Sequence, residues 1–255
     1  MNSKNLSKKP NNKVIVIVGP TGSGKTGVAV NIAKKIGGEI ISADSRAIYK
    51  GMDIGTAKPS VEEQDGVPHF GIDLVEPGER FTVADFKAYA EQKISEIEER
   101  GHVPIIAGGT GLYVDALIYD YKFTEQSKKS CSDRDKIEQK YLIFGIKVER
   151  DELRDRLKRR IEKMFCEELF EETRVLVEKY GWDNQAMKSD IYEFVWKYLQ
   201  GELDLSVAKE QAFYEDYHLA KRQMTWFKRN KNIIWASLEK IESTVLKYIQ
   251  NEQRK

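Results

Sequence analysis

Gly19-Pro20-Thr21-Gly22-Ser23-Gly24-Lys25-Thr26 fits the pattern G-x-x-x-x-G-K-[ST] at every defined position. The apolar run Val14-Ile15-Val16-Ile17-Val18 precedes it, and a stretch of helical character, 27–36, follows. Strand, glycine loop and helix, in that order, is the setting the pattern requires. The glycines let backbone N–H groups turn inward around phosphate oxygens, and the helix N-terminus adds partial positive charge. Lys25 supplies a point charge, and Thr26 a hydroxyl suited to Mg²⁺. The octet is a candidate polyphosphate cradle, with Thr26 as its candidate metal ligand. Alone, it leaves open which polyphosphate is held and what is done with it.

The chain has 255 residues, 40% of them apolar, which is enough for a real core. Its net charge is +1, so any affinity for nucleic acid must come from a local patch. Two cysteines, Cys131 and Cys166, have no metal-ligand spacing and fit a reduced, cytoplasmic protein. No apolar run approaches the roughly 20 residues of a membrane span. Residues 1–12 are basic and polar, with no apolar stretch before Val14; they read as a disordered tail, not a signal peptide.

Outward from the loop, Glu39-Ile40-Ile41-Ser42-Ala43-Asp44 reads as a second strand ending in a carboxylate, and 45–59 as a loop. A short strand is expected at 69–74, an amphipathic helix at 84–100 and a buried strand at 103–107 before Gly108-Gly109-Thr110-Gly111. Residues 122–140 are polar, 141–146 read as a further core strand, and 150–180 and 186–230 as helix with a break near Gly201. Strands alternating with helices imply an α/β fold: a P-loop NTPase-like core whose mostly parallel sheet is flanked by helices, followed by a helix-rich C-terminal part. The expected catalytic domain spans 13–235, with a C-terminal helix or tail at 236–255. Ligands then sit beyond the C-terminal ends of the strands, where the glycine loop, Asp44 and 108–111 all fall.

Several segments resemble one family, the tRNA dimethylallyltransferases (tRNA isopentenyltransferases). They are GPTGSGKT at 19–26, IISADSRAIYKGMDIGTAKP at 40–59, VPHFGIDLVEP at 67–77 with VADFK at 83–87, VPIIAGGTGLY at 103–113 and AKRQMTWFKR at 220–229. The resemblance implies transfer of a five-carbon allylic group from dimethylallyl diphosphate to the N6 amine of the adenosine 3′ of the anticodon. The diphosphate would then lie on Gly19, Pro20, Thr21, Gly22, Ser23, Gly24, Lys25 and Thr26, with Lys188 and Arg222 as further ligands and Mg²⁺ as cofactor. A lone strand-end Asp would read as a loop cap or a metal contact; within Ser42-Ala43-Asp44-Ser45-Arg46, the resemblance makes Asp44 the general base. Thr110 corresponds to a residue near the acceptor nucleotide and is the second candidate catalytic residue. Asp44, Ser45, Arg46, Ala47 and Thr110 are the implied tRNA contacts. Lys50 and Lys58 read equally as phosphate contacts or solvated charges, and His69 as a structural contact.

At 217–231 basic residues alternate with Tyr217, Trp226 and Phe227, a composition that suits a single-stranded RNA loop; Trp226 is assigned to the core. The chain also departs from the family. A helical insertion that grips the anticodon stem-loop is reduced to 122–140. Lys188 stands for an Arg, Ile191 and Glu168 for glycines, and Tyr217 for an Arg. Three readings follow: a minimal tRNA dimethylallyltransferase, monomeric and cytoplasmic, acting on the tRNA anticodon loop; a prenyltransferase acting on free adenylate; and a non-catalytic RNA- or nucleotide-binding remnant.

Overall fold

The computed structural model describes residues 13–123, 140–188 and 190–253. The expectations for the tail at 1–12 and for most of 122–140 lie outside them. Every residue of β1 (Val14–Val18) is apolar and buried, because this strand is covered on both faces. Val14, Val16 and Val18 point to one apolar layer, and Ile15 and Ile17 to the other, as the period of two requires. The sheet also contains β2 (Gly38–Ser42), β3 (His69–Phe70), β4 (Val103–Gly108), β5 (Tyr141–Ile146) and β6 (Ile234–Ala236). Its order is β3-β2-β4-β1-β5-β6 and every pairing is parallel.

One face is covered by α3 (Val83–Glu99) and α4 (Gly111–Ile118), the other by α1 (Lys25–Ile36) and α9 (Leu238–Gln253). A Thr82–Asp85 capping box starts α3, and Phe86, Ala90, Ile94 and Ile97 form its buried stripe. A one-turn helix, α2 (Val61–Gln64), follows the long loop after β2. The helix-rich part comprises α5 (Arg150–Met164), α6 (Glu167–Tyr180), α7 (Asp190–Leu199) and α8 (Leu205–Phe227), which share a separate apolar core. Ile191, where a glycine was expected, fills part of that core.

The strand expected at 69–74 stops at Phe70. Gly71 turns with φ 80° so close to β2 that an added Cβ would lie 2.7 Å from the Ser42 carbonyl oxygen, and Asp73 follows with φ 52°. The three-residue β6 was not anticipated; it is too short to show periodicity and is held by pairing Phe144 to Ile234. Among the described residues no helix is long and apolar enough to cross a membrane.

Candidate active site

The strand register brings the site together. Val18 pairs with Gly108, and Ser42 with Ala107, so β1, β4 and β2 end at one level. The loop after β1, Asp44 after β2 and Thr110 after β4 therefore share one edge. Gly108 permits this: a Cβ there would fall 2.1 Å from the Ala43 carbonyl oxygen. The Thr110 N–H donates to that same oxygen at 3.1 Å.

The glycine loop turns through Gly22 at φ 74° and Gly24 at φ 90°, and α1 begins at Lys25. The Lys25 ammonium donates to the Pro20 carbonyl at 2.7 Å. Enclosure in the cleft pushes its pKa down to about 8, with Asp44 opposing the fall and Arg160 adding to it. Lys25, Thr26, Ser42, Asp44 and Thr56 line one cavity together with the apolar Ile40, Ala47, Ala57, Pro59 and Ala107. The first residues of α1 and a carboxylate thus share a common space with apolar walls.

The turn after β2 is ordered by short-range bonds. Asp44 Oδ1 accepts the Arg46 N–H at 2.8 Å, and Thr110 Oγ1 accepts the Ser45 N–H at 2.9 Å. Thr110 also donates to Ser45 Oγ at 3.2 Å, so its hydroxyl fixes the turn that carries Asp44. Arg46 is exposed, and Ala47 is buried against the cavity.

Three residues that sequence reasoning missed converge on the loop. Arg160 donates to Thr21 Oγ1. Arg156 Nη1 donates to the Ser23 carbonyl at 3.1 Å. Gln223 Oε1 accepts the Thr21 N–H at 2.7 Å. The arginines sit one helical turn apart on α5, a spacing visible in the sequence. Seven Lys or Arg residues along that helix hide which pair faces the loop. Gln223 lies inside the block at 220–229, beside the expected Arg222. Arg222 itself is exposed on α8. Lys188 is not brought into the cavity; its ammonium pairs with Asp183 at 3.1 Å on the surface.

Several other side chains have protein partners. Lys58 is nearly buried, bonded to the Tyr49 carbonyl and paired with Asp53 and Asp73, and Lys50 pairs with Glu76. His69 lines the cavity, and its Nδ1–H donates to the Val67 carbonyl at 2.8 Å. Burial pushes its pKa down, so the ring is neutral with Nε2 unprotonated. Trp226 packs on the sheet core and donates to Asp115 at 2.9 Å. Tyr217 accepts a bond from Arg150 at 2.8 Å and lies under Lys221.

Comparison with known proteins places the fold in a family. The family model described as IPP transferase matches residues 47–141 and 122–230. The tRNA dimethylallyltransferase of Staphylococcus haemolyticus is 35% identical over 89% of this chain and 87% of its own length. That of Bacillus subtilis is 33% identical, covering 91% of each. The Staphylococcus alignment runs over 288 positions, of which this chain supplies about 227, so some 60 positions have no counterpart here. The crystal structure of the tRNA isopentenylpyrophosphate transferase of Bacillus halodurans superposes with a TM-score of 0.84 at 31% identity, covering 95% of this chain and 98% of that one. The chain belongs to the IPP transferase family.

Proposed function

We propose that this chain transfers a dimethylallyl group from dimethylallyl diphosphate to the N6 amine of the adenosine 3′ of the anticodon in tRNA, releasing diphosphate. The observation that carries the reading is the shared cavity, in which the Asp44 carboxylate faces the Lys25 cradle across apolar walls. The names of the relatives, all tRNA-modifying prenyltransferases, support the choice of donor and acceptor.

The diphosphate rests on the loop 19–26 at the N-terminus of α1. The N6 nitrogen attacks C1 of the allyl group; the C–N bond forms as the C–O bond breaks, and the leaving diphosphate takes the electron pair. Negative charge grows on that diphosphate, and the loop amides and Lys25 stabilise it in the transition state, while Arg156 and Arg160 hold the loop that presents them. The proton leaving N6 passes to Asp44. Ile40, Ala47, Ala57, Pro59 and Ala107 enclose the five-carbon group and keep water from it. Thr110 holds the Asp44 turn, while Ser45, Arg46 and Ala47 present it to the tRNA anticodon loop.

The donor set fits Mg²⁺. Among the described residues no group of three His, Cys, Asp or Glu could cage a metal. Magnesium needs no such cage, keeping its waters and binding through one or two protein oxygens and a substrate phosphate. The exposed Thr26 hydroxyl in the cavity is such an oxygen. Bound there, Mg²⁺ would supply positive charge to the leaving diphosphate. Lys188 and Arg222 would have to swing from their surface positions to reach the donor. A tRNA substrate implies a cytoplasmic enzyme, and we read it as a monomer.

The test incubates the protein with Mg²⁺, labelled dimethylallyl diphosphate and either tRNA or AMP. Label should enter tRNA; label in AMP alone would replace this reading with the free-nucleotide one, and label in neither would leave a binding protein. Asp44→Ala should keep donor affinity and lose transfer by at least about 100-fold. Full activity in that variant would remove Asp44 as the base.

A further inference from the structure

The segment that follows Asp44 is held from the far side by the helical layer. Met52 is fully buried, and its side chain lies in the core formed by α5 to α8, not in the sheet layers. The next three amides, of Asp53, Ile54 and Gly55, all donate to the carboxylate of Glu172, in the middle of α6, at 2.9 to 3.1 Å. Tyr192 of α7 donates its hydroxyl to the same carboxylate at 2.6 Å. Its ring presses on the turn so closely that a Cβ on Gly55 would lie 2.4 Å from Cζ. Burial first, and then the proximity of Glu172, push the Tyr192 pKa far up, so this phenol stays protonated and remains a donor.

The same turn reaches the site. Thr56, Ala57 and Pro59 line the same cavity as Lys25, Thr26 and Asp44, yet α6 and α7 contribute none of its lining. A carboxylate that accepts three successive amides and a phenol is saturated with charge-assisted bonds. Any replacement that cannot accept all four leaves a donor unpaired beside the buried ring.

We propose that Glu172, assisted by Tyr192, is a positioning residue for transfer. It fixes the Thr56–Pro59 wall that aligns the five-carbon group with Asp44, and so couples the helical layer to the active site. The role rests on the prenyl-transfer reading above. Glu172→Gln keeps the size of the side chain but turns one acceptor into a donor. Glu172→Asp keeps the charge and shortens the reach. Glu171→Gln, on the exposed neighbour that pairs with Arg174, is the control.

With labelled donor and tRNA, Glu172→Gln should lower kcat by about 10- to 100-fold, the cost of misplacing reacting groups by up to an ångström. The KM for tRNA and the affinity for inorganic diphosphate should stay within about twofold, because the cradle and the acceptor turn have their own supports. Tyr192→Phe should cost about fivefold, the worth of one hydrogen bond, and Glu172→Asp should recover part of the loss. Amide exchange at 53–55 should quicken in Glu172→Gln and not in α1. Unchanged kcat in a folded Glu172→Gln protein whose 53–55 amides exchange faster would overturn the role, as would equal losses of kcat and diphosphate affinity. If the wild-type chain prenylates neither tRNA nor AMP, the reaction reading has failed separately. The positioning role of Glu172 is then judged on dimethylallyl thiolodiphosphate, whose affinity advantage over inorganic diphosphate Glu172→Gln should narrow; an unchanged advantage would sink it.

Discussion

Lys25 is a charge kept in the cleft at a cost until a ligand arrives, and replacing it with methionine exposes that cost. Its pKa falls from 10.5 to about 8 because the cleft desolvates the ammonium. A lysine with a folded pKa below its unfolded value destabilises the protein wherever it must stay protonated. The penalty is complete below about pH 8 and disappears as pH rises towards 10.5. At about 1.4 kcal/mol per pH unit the gap is worth about 3 kcal/mol. The hydrogen bond to the Pro20 carbonyl returns about 1 kcal/mol, which the variant also loses. Lys25→Met should therefore stabilise the ligand-free protein by about 2 kcal/mol at pH 7, or roughly 4–8 °C in Tm for a chain of this size, with the advantage fading by pH 9.5. Bound diphosphate reverses the sign, since its charge favours the ammonium. Binding above pH 8 must take up a proton, so wild-type affinity should be roughly tenfold weaker at pH 9 than at pH 7. Thermal melts at the two pH values and calorimetry in buffers of different ionisation enthalpy measure both halves. A flat affinity with no proton uptake, or a Lys25→Met variant no more stable at pH 7 than at pH 9.5, would refute the reasoning.

Gly108→Ala places a Cβ 2.1 Å from a backbone oxygen, so β2 and β4 must separate by more than an ångström beneath Asp44 and Thr110. The expected cost is about 1–3 kcal/mol of stability and a loss of transfer of about 100-fold; normal turnover with an unchanged melting point would contradict the close approach. At the opposite end of β2, the buried Glu39 bonds to Arg100 at 2.6 Å and to His102, and the Arg100 bond above all holds its carboxyl below the usual range. Its stabilisation is complete above pH 4.5 and is lost as pH falls through the depressed value, so urea melts from pH 6 to pH 3 should fall more steeply for the wild type than for Glu39→Gln; parallel curves would count against it.

The sheet and the cradle were legible because each depends on residues next to one another in the chain. Val14 to Val18 announces a doubly buried strand, and the glycine spacing after it announces the turn. Asp44 and Thr110 were legible for a second reason: parallel topology forces strand C-termini to one edge, so residues just past β2 and β4 must meet the loop past β1. Arg156, Arg160 and Gln223 were not legible. Each reaches the loop across more than 130 residues, and nothing local marks one arginine among many on an amphipathic helix. Lys58 misled for the converse reason. A lysine in a polar loop looks solvated, and only the fold shows Asp53 and Asp73 closing over it. His69 to Leu74 misled because Gly71 turns left-handed against β2 and ends the strand at Phe70, a close approach that only the fold reveals.

The Staphylococcus alignment leaves some 60 positions without a counterpart in this chain, and the groups that build the proposed site are all in what the chain retains. They lie at the three strand ends within 14–118 and on the supports of α5, α6, α7 and α8. Those supports divide the work. Arg156, Arg160 and Gln223 hold the glycine loop, while Glu172 and Tyr192 hold the segment beyond Asp44. The two sets meet in one apolar core, which Met52 joins from the loop side. On the proposed function, shortening the RNA-gripping insertion that the resemblance implies should weaken the encounter with tRNA without touching the alignment of donor, base and amine. A substitution in the α6–α7 layer should do the opposite, leaving the encounter intact and spoiling the alignment. Affinity for tRNA and turnover on bound tRNA should accordingly respond to different parts of this chain.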